Sequence, residues 1–209
     1  MSETAADEGR SSPEITTARL ELWRVVADDA PFILRLLNEP SWLRFIGDRG
    51  VRTLDDARAY ISRGPVEMYR RFGFGLWLVR AKEPAAAIGL CGLLRRETRP
   101  DVELGFALLP EFWGRGFAEE AARASIDFGL GVAGLTRIAA ILAPQNRASE
   151  RLLRKLGFEF EAPFRMTPES PELWRFAISE GRTTDETGEG GAGGGGCGFA
   201  GDEQASVEI

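Results

Sequence analysis

The chain has 209 residues with a formal charge of −6, and 44% of its residues are apolar. This length fits one domain with flanking segments, and no run approaches the roughly 18 consecutive apolar residues that span a bilayer, so we expect no membrane segment. The chain contains no histidine. Hydrolases that use Ser-His-Asp or Cys-His groups are therefore excluded, as are most zinc enzymes, and we expect no metal site.

The acidic charge is concentrated at the two ends of the chain. Residues 1–18 hold four acidic residues and one arginine, residues 181–209 hold six and one, and the stretch between them carries about +2. A middle this close to neutral has no general nucleic-acid signature, although it suits a single anionic ligand. The first residues lack the layout of a secretory signal, so a cytoplasmic location is expected.

In chain order, the sequence begins with a polar segment and ends with a glycine-rich acidic tail, and neither can bury enough surface to fold. We predict disorder over residues 1–16, one folded domain over 17–180, and a disordered tail over 181–209. Cys91 lies in an apolar run and Cys197 lies in the glycine tract. A small core residue and an incidental thiol are therefore favoured over a disulfide.

Apolar or alternating runs bounded by turn residues predict six strands, which are Arg19–Val25, Phe74–Arg80, Ala87–Leu94, Val102–Leu108, Arg137–Leu142 and Leu173–Ile178. Helical patterns lie between them: Asp28–Asn38, a helix that opens at Thr53 with a capping box, Gly114–Leu130, and Asn146–Leu156 ended by Gly157. Antiparallel neighbours combine with one strand–helix–strand crossover around 102–142. The expected fold is an α/β mixed sheet with helices on both faces.

Between the first helices, aromatic residues alternate with arginines over residues 41–52. Two interpretations stay open. The segment is either a wall that recognises an anionic or aromatic substrate, or it supplies core contacts through Trp42, Phe45 and Ile46.

The predicted strand over 102–108 runs through Leu109 and Pro110 into Gly114-Arg115-Gly116 and then a helix. Helix N-termini present unpaired N–H groups, and glycine lets a ligand approach the backbone closely, so this turn is a candidate pyrophosphate site. A turn without a ligand is the alternative. Two other stretches, which begin at Gly129 and Gly191, match the dinucleotide spacing, but the first precedes a strand and the second lies in the tail.

Two longer motifs carry a resemblance to a known family. Asp101-Val-Glu-Leu-Gly-Phe-Ala-Leu-Leu-Pro-Glu-Phe-Trp-Gly-Arg-Gly-Phe-Ala-Glu-Glu-Ala121, followed by Asn146-Arg-Ala-Ser-Glu-Arg-Leu-Leu-Arg-Lys-Leu-Gly-Phe158, resembles the GNAT superfamily of N-acetyltransferases, in its RimJ/RimL-like branch. The resemblance covers residues 19–178. It implies a central, mostly antiparallel sheet with a V-shaped opening between two parallel strands, and acetyl-CoA as the acetyl donor bound in that opening.

The resemblance also implies the residues that contact the coenzyme, with backbone N–H groups around 112–117 on its pyrophosphate. The expected set is Phe106, Ala107, Leu108, Trp113, Gly114, Arg115, Gly116, Phe117, Ala118, Asn146 and Ser149. The family pattern has Gln or Arg where this chain has Glu111. A side-chain role at that position is therefore not expected.

Glu103 is the candidate general base. Strict alternation along 102–108 places Glu103 on one face together with Gly105 and Ala107, which predicts a groove beside the carboxylate. The resemblance implies that this glutamate acts as the base or positions a water that does. The alternative is a solvated strand glutamate.

The candidate proton donor is Ser149. Many GNAT members have a tyrosine acid where this chain has Leu153, and RimJ/RimL-like relatives have a serine matching Ser149 near the coenzyme sulfur. The resemblance implies that Asn146 binds the pantetheine arm or a water. Helix capping by Asn146 and an ordinary first-turn serine are the alternatives.

The function expected from these features is acetyl transfer to a primary amine, by direct attack in a ternary complex. The acceptor is a small molecule or a protein N-terminus, without nucleic-acid or membrane partners, and the enzyme is a monomer or a homodimer. A non-catalytic acyl-CoA-binding protein and an acyltransferase for longer chains are the alternatives.

Overall fold

The computed structural model describes residues 12–97, 99–165, 167 and 170–180. Eight strands form one sheet in the order β1-β2-β3-β4-β5-β6-β8-β7. The strands are β1 Ile15–Thr16, β2 Leu20–Arg24, β3 Leu76–Ala81, β4 Ala86–Arg95, β5 Val102–Leu108, β6 Arg137–Leu142, β7 Glu159–Phe164 and β8 Leu173–Ser179. The α-helices are α1 Ala30–Leu37, α2 Pro40–Phe45, α3 Leu54–Ile61, α4 Glu67–Phe72, α5 Phe117–Asp127 and α6 Arg147–Lys155.

The sheet is mixed, as the sequence predicts. Every neighbouring pair is antiparallel except β5 with β6, which are parallel. All six predicted strands are present, with ends displaced by no more than two residues. The parallel pair is joined by α5, which gives the strand–helix–strand crossover.

Local capping explains where the predicted helices begin and end. Thr53 precedes α3, and its side chain accepts a hydrogen bond from the Asp56 N–H while the Asp56 carboxylate accepts one from the Thr53 N–H. This reciprocal pair is the expected capping box. Gly157 follows α6 with φ of 91°, a left-handed conformation that ends the helix at little cost for glycine.

Helices cover both faces of the sheet, and each face has its own core. On one face, α5 and α6 pack over the side chains of Leu104 and Phe106. On the other, α1, α2 and α3 pack over Leu78 and Leu90, with the fully buried Trp42 among them. Trp42 therefore makes the core contact that was one interpretation of the 41–52 segment.

The structure adds elements that the sequence did not indicate. Ile15 and Thr16, expected to lie in a disordered segment, pair with Leu22 and Glu21, so the ordered chain begins before residue 17. The edge strand β7 pairs with β8 alone. It exposes nearly all its side chains and contains Pro163, so it lacks the apolar alternation by which a strand is recognised.

Cys91 is fully buried on β4, as expected for a core residue, and this burial raises the pKa of its thiol to about 12. Cys197 and the predicted tail over 181–209 lie outside the described residues. Within the described ranges, no helix is long and apolar enough to cross a membrane.

Candidate active site

The sheet opens between β5 and β6. The two strands pair only at their first residues, where Val102 faces Ile138 and Glu103 faces Ala139. On its other edge, β5 pairs with β4 along its whole length. The strands therefore separate beyond Glu103, and this separation is the V-shaped opening that the sequence resemblance implies.

The shape of the turn after β5 depends on one indole hydrogen bond and on two glycines in the left-handed region. Pro110–Phe112 form a single 3₁₀ turn, and the Trp113 indole N–H donates a hydrogen bond to the Leu108 carbonyl at 2.8 Å. Gly114 and Gly116 then adopt φ values of 67° and 75°, in the left-handed region that other residues enter at a cost. The turn thereby directs the chain into α5.

The N-terminus of α5 is available to an anion. No side chain caps this helix, and the first N–H groups of a helix have no partner within it. Two glutamates in the first turn would oppose an anion, but both are paired. Glu119 binds Lys155 at 2.6 Å, and Glu120 accepts hydrogen bonds from Thr17 and Arg19.

The pairing of Glu120 keeps it ionised. Partial burial raises the pKa of its carboxyl group, but the hydrogen bonds from Thr17 and Arg19 outweigh burial, so the pKa lies below its usual value. The Arg19 guanidinium also donates to the Arg115 carbonyl at 2.8 Å. Glu120 and Arg19 therefore fix the first turn of α5 against β2.

A largely apolar cavity of about 170 Å³ lies between β5, α5 and α6, beside this turn. Eight of the predicted coenzyme-binding residues line it: Phe106, Leu108, Trp113, Gly114, Gly116, Phe117, Ala118 and Ser149. Three others do not. The side chain of Ala107 packs in the core of the opposite face, Arg115 stacks on the rings of Phe112 and Phe117, and Asn146 caps a helix.

Asn146 and Ser149 are connected at the start of α6. The Asn146 side-chain oxygen accepts a hydrogen bond from the Ser149 N–H at 3.1 Å, and both residues are only 2% exposed. Asn146 is therefore the helix cap. This cap sets the first turn of α6 so that Ser149 lies at the cavity. Leu153, which stands where many relatives have tyrosine, is buried in the core.

Glu103 lies on the other face of β5. It is 5% exposed, and its carboxylate accepts hydrogen bonds from Arg99 and from the Arg96 Nε, the latter at 3.1 Å. The alternative of a solvated glutamate is therefore wrong. A buried carboxylate is costly unless it is paired, and here two guanidinium groups supply the pairing.

A second cavity of about 390 Å³ adjoins Glu103. It is lined by Arg99, Pro100, Asp101, Glu103, Ala139, Ile141, Phe164, Arg165 and Arg175. The sequence predicted a groove beside Glu103 running past Gly105 and Ala107. The structure places the cavity towards β6 instead, because α1 and α3 cover the part of the face that holds Ala107.

The arginines around Glu103 were missed by sequence reasoning. Arg99 comes from the β4–β5 loop, Arg165 directly follows β7 and Arg175 lies on β8, so no local pattern joins them. The density of arginine over residues 95–99 was the one available signal. Glu111, the departure from the family pattern, forms an exposed ion pair with Arg35 at 2.6 Å.

Comparisons with known proteins identify the family of this chain. A family model described as "Acetyltransferase (GNAT) domain" matches residues 19–159. The N-acetyltransferase YoaA of Bacillus subtilis, itself called uncharacterized, is 30% identical over 155 residues, which are 73% of this chain and 86% of that protein.

Solved structures share the fold. An acetyltransferase from Agrobacterium tumefaciens strain C58 matches with a TM-score of 0.68 and 25% identity, covering 81% of this chain and 96% of that one. RimL, a ribosomal L7/L12 α-N-protein acetyltransferase in complex with coenzyme A, matches with a TM-score of 0.68 and 16% identity, covering 79% and 96%. This chain belongs to the GNAT family of acetyltransferases, enzymes that transfer an acyl group to an amine.

Proposed function

We propose that this enzyme is an acetyl-CoA-dependent N-acetyltransferase of the RimJ/RimL-like branch, in which a primary amine attacks the donor directly within a ternary complex. One observation carries the proposal. The sheet opens between β5 and β6, and the two faces of β5 line two different cavities, one with Ser149 and one with Glu103. Donor and acceptor can therefore approach the opening from opposite faces.

The residues of the first cavity fit the donor. The unpartnered N–H groups at the start of α5 suit a pyrophosphate, and Gly116 leaves room for it to approach the backbone. The apolar walls of Phe106 and Leu108 suit a pantetheine arm. Acetyl-CoA, when bound there, supplies the acetyl group as a thioester.

Glu103 is the proposed general base. At pH 7 an α-amine of pKa about 8 is roughly one-tenth neutral, whereas a lysine amine of pKa about 10.4 is neutral less than one time in a thousand. Only the neutral amine attacks, so a group that takes the proton raises the reactive fraction. Glu103 is buried beside the second cavity, and in the proposed reaction its carboxylate accepts that proton directly or through a water.

Ser149 is the proposed donor of a proton or hydrogen bond to the departing sulfur. A thiolate with a pKa near 8.5 leaves moderately well, so it needs only modest help. Ser149 lies at the first cavity, and the Asn146 cap fixes its position. The buried Leu153 cannot serve as an acid in place of the tyrosine of other relatives.

Calorimetric titration of the full chain with acetyl-CoA is the first test, and one-to-one binding is expected. An assay of CoA release over a panel of primary amines then identifies turnover. Absence of acetyl-CoA binding would contradict the proposal. Binding without turnover of any amine would favour the scaffold alternative, and faster turnover with butyryl-CoA would favour the longer-chain alternative.

A further inference from the structure

The cavity beside Glu103 contains more positive than negative groups. Three arginines line it, Arg99, Arg165 and Arg175, against the carboxylates of Asp101 and Glu103. Each of the two carboxylates already binds two guanidinium groups. Glu103 binds Arg96 and Arg99, while Asp101 binds Arg175 and Arg137.

The surrounding ion pairs extend this network beyond the cavity. Glu161 is the third carboxylate of the network and is shared between Arg137 and Arg175. Arg165 adds a fifth guanidinium, which donates to the Ser170 carbonyl at 2.7 Å and pairs with no carboxylate among the residues that the structure describes. Among the described residues that line the cavity, three guanidinium groups therefore face two carboxylates.

The positive region continues along the same face of the sheet. Arg96, whose Nε binds Glu103, also lines a third cavity of about 160 Å³ together with Arg49 and Tyr60. No carboxylate of the described residues lines that cavity. Among the described residues, Glu103 thus has Arg96 and Arg49 on one side and Arg165 and Arg175 on the other.

An excess of fixed positive charge has two effects on an amine that enters. It repels a substrate whose only charges are ammonium groups, and it lowers the pKa of a bound ammonium, which favours the neutral form that attacks. An acceptor with a negative group elsewhere on the molecule gains an attraction that offsets the repulsion. Both effects are larger in a cavity than in bulk water because the local dielectric is lower.

We propose that the acceptor is a primary amine that also carries an oxyanion, a carboxylate or a phosphate, a few bonds from the amino group, with the oxyanion bound by Arg165 and its neighbours in the cavity. The inference rests on the proposed function and specifies its substrate class. The cavity volume lies within the range of small-molecule sites, so the amine and the anion fit together. Polyamines are excluded as preferred acceptors.

The test compares paired acceptors with and without an anionic group, with the full chain and acetyl-CoA; the Asp and Asn peptides are also nearly equal in size. O-phosphoethanolamine is paired with ethanolamine, and the peptide amide Ala-Asp-Ala is paired with Ala-Asn-Ala, so that the two arms separate a phosphate from a carboxylate. We expect kcat/KM to be at least about tenfold higher for the anionic member of one or both pairs, and we expect 0.5 M salt to reduce the ratio. Equal values within both pairs, or spermidine as the best acceptor, would overturn the inference.

Two variants locate the charge that is responsible. Arg165→Gln is expected to bring the ratio within each pair towards one. Arg58→Gln is the matched control, because Arg58 is an exposed arginine on α3 that pairs with Asp55 and lines none of the three cavities, so it should leave the ratio unchanged. An equal loss of preference in both variants would contradict the assignment to this cavity.

A binding measurement separates this inference from the proposed function. The protein is saturated with CoA, and O-phosphoethanolamine and ethanolamine are titrated in parallel by calorimetry, with no turnover required. Tighter binding of the phosphate compound supports the inference. If acetyl-CoA binds normally but the two amines bind equally, the inference fails and the proposed function stands. If acetyl-CoA itself does not bind, the proposed function fails as well.

Discussion

The two sides of β5 differ in how they are built. The side that faces α5 and α6 is apolar, and its polar partners for a ligand are backbone N–H groups at a helix start. The opposite side is a charged cavity made by side chains from separate segments. In the proposed enzyme, one side binds its ligand through backbone N–H groups and the other through charged side chains. Backbone recognition suits a donor common to a whole family, whereas side-chain charge suits an acceptor particular to one member.

Removal of the Glu103 carboxylate should produce the largest effect. We expect Glu103→Gln to reduce kcat by about 10²-fold or more, since general-base catalysis typically contributes that much. Acetyl-CoA affinity, measured by calorimetry, should change little because the proposed donor site lies on the other side of β5.

Asp101→Asn is the control for Glu103→Gln. It removes the same charge from the same cavity, where Asp101 also binds two arginines, but it leaves the base in place. A loss of kcat equal to that of Glu103→Gln would show that charge balance matters rather than a base. An undiminished rate in Glu103→Gln would refute the assignment of Glu103.

Obstruction of the proposed pyrophosphate site at the start of α5 should produce the next largest effect. In Gly116→Ala the new methyl group would lie 3.3 Å from the Arg19 guanidinium at the start of α5, and we expect it to hinder close approach of a phosphate. Loss of one hydrogen bond to a charged group corresponds to about a 10- to 100-fold weaker dissociation constant for acetyl-CoA. Calorimetric titration measures it.

Gly134→Ala separates this effect from backbone strain. Gly134 has a similar φ of 66°, and nothing lies within 4 Å of an added methyl group. Both variants should lower the melting temperature, since each places alanine in the left-handed region. Only Gly116→Ala should weaken acetyl-CoA binding. Equal weakening in the two variants would contradict the proposal that the pyrophosphate binds at the start of α5.

Removal of the Ser149 hydroxyl should have a smaller effect. We expect Ser149→Ala to lower kcat roughly fivefold, the value of about one neutral hydrogen bond, because the sulfur needs little help to leave. Ser125→Ala is the matched control. Ser125 is a buried serine on α5 that bonds the Ala121 carbonyl and lines neither cavity, so it should affect stability but not kcat. An unchanged kcat in Ser149→Ala would leave Ser149 as a contact only.

The smallest expected effect is a change in pH dependence at Glu120. Its folded pKa is lowered, so the stability it contributes is present above the usual glutamate pKa of about 4.3 and is lost as pH falls through the lower folded value. Urea unfolding should show that Glu120→Gln removes less than about 1 kcal/mol at pH 7 and progressively less as pH falls below about 4.3. Glu97→Gln, at an exposed pair with Arg71, should show no such difference.

Features of the site that depend on residues close together in the sequence could be predicted. Features that depend on residues brought together by the fold could not. The turn at Gly114 and Gly116, the Thr53 cap and strand 102–108 each depend on neighbours in the chain, and all three are confirmed. The cavity around Glu103 depends on Arg99, Arg165 and Arg175, which come together only when β5, β7 and β8 assemble.

The groove predicted beside Gly105 and Ala107 shows the same limit. Alternation assigned the correct face to Glu103, but the choice between groove and core depended on where α1 and α3 pack. The alternation of side chains within one strand does not indicate where helices distant in the sequence pack. The roles assigned to Glu103, Ser149 and the coenzyme-binding residues stay predictions until the variants are measured.

The pleat of β5 makes one strand the common wall of both cavities, with Phe106 turned to one and Glu103 to the other. Insertion or deletion of a single residue in this strand would exchange the two sets of side chains. Strand length is thus constrained more tightly than residue identity. On the proposed assignment, substitutions at Phe164 or Arg165 would change acceptor preference, whereas the register of β5 has to be kept.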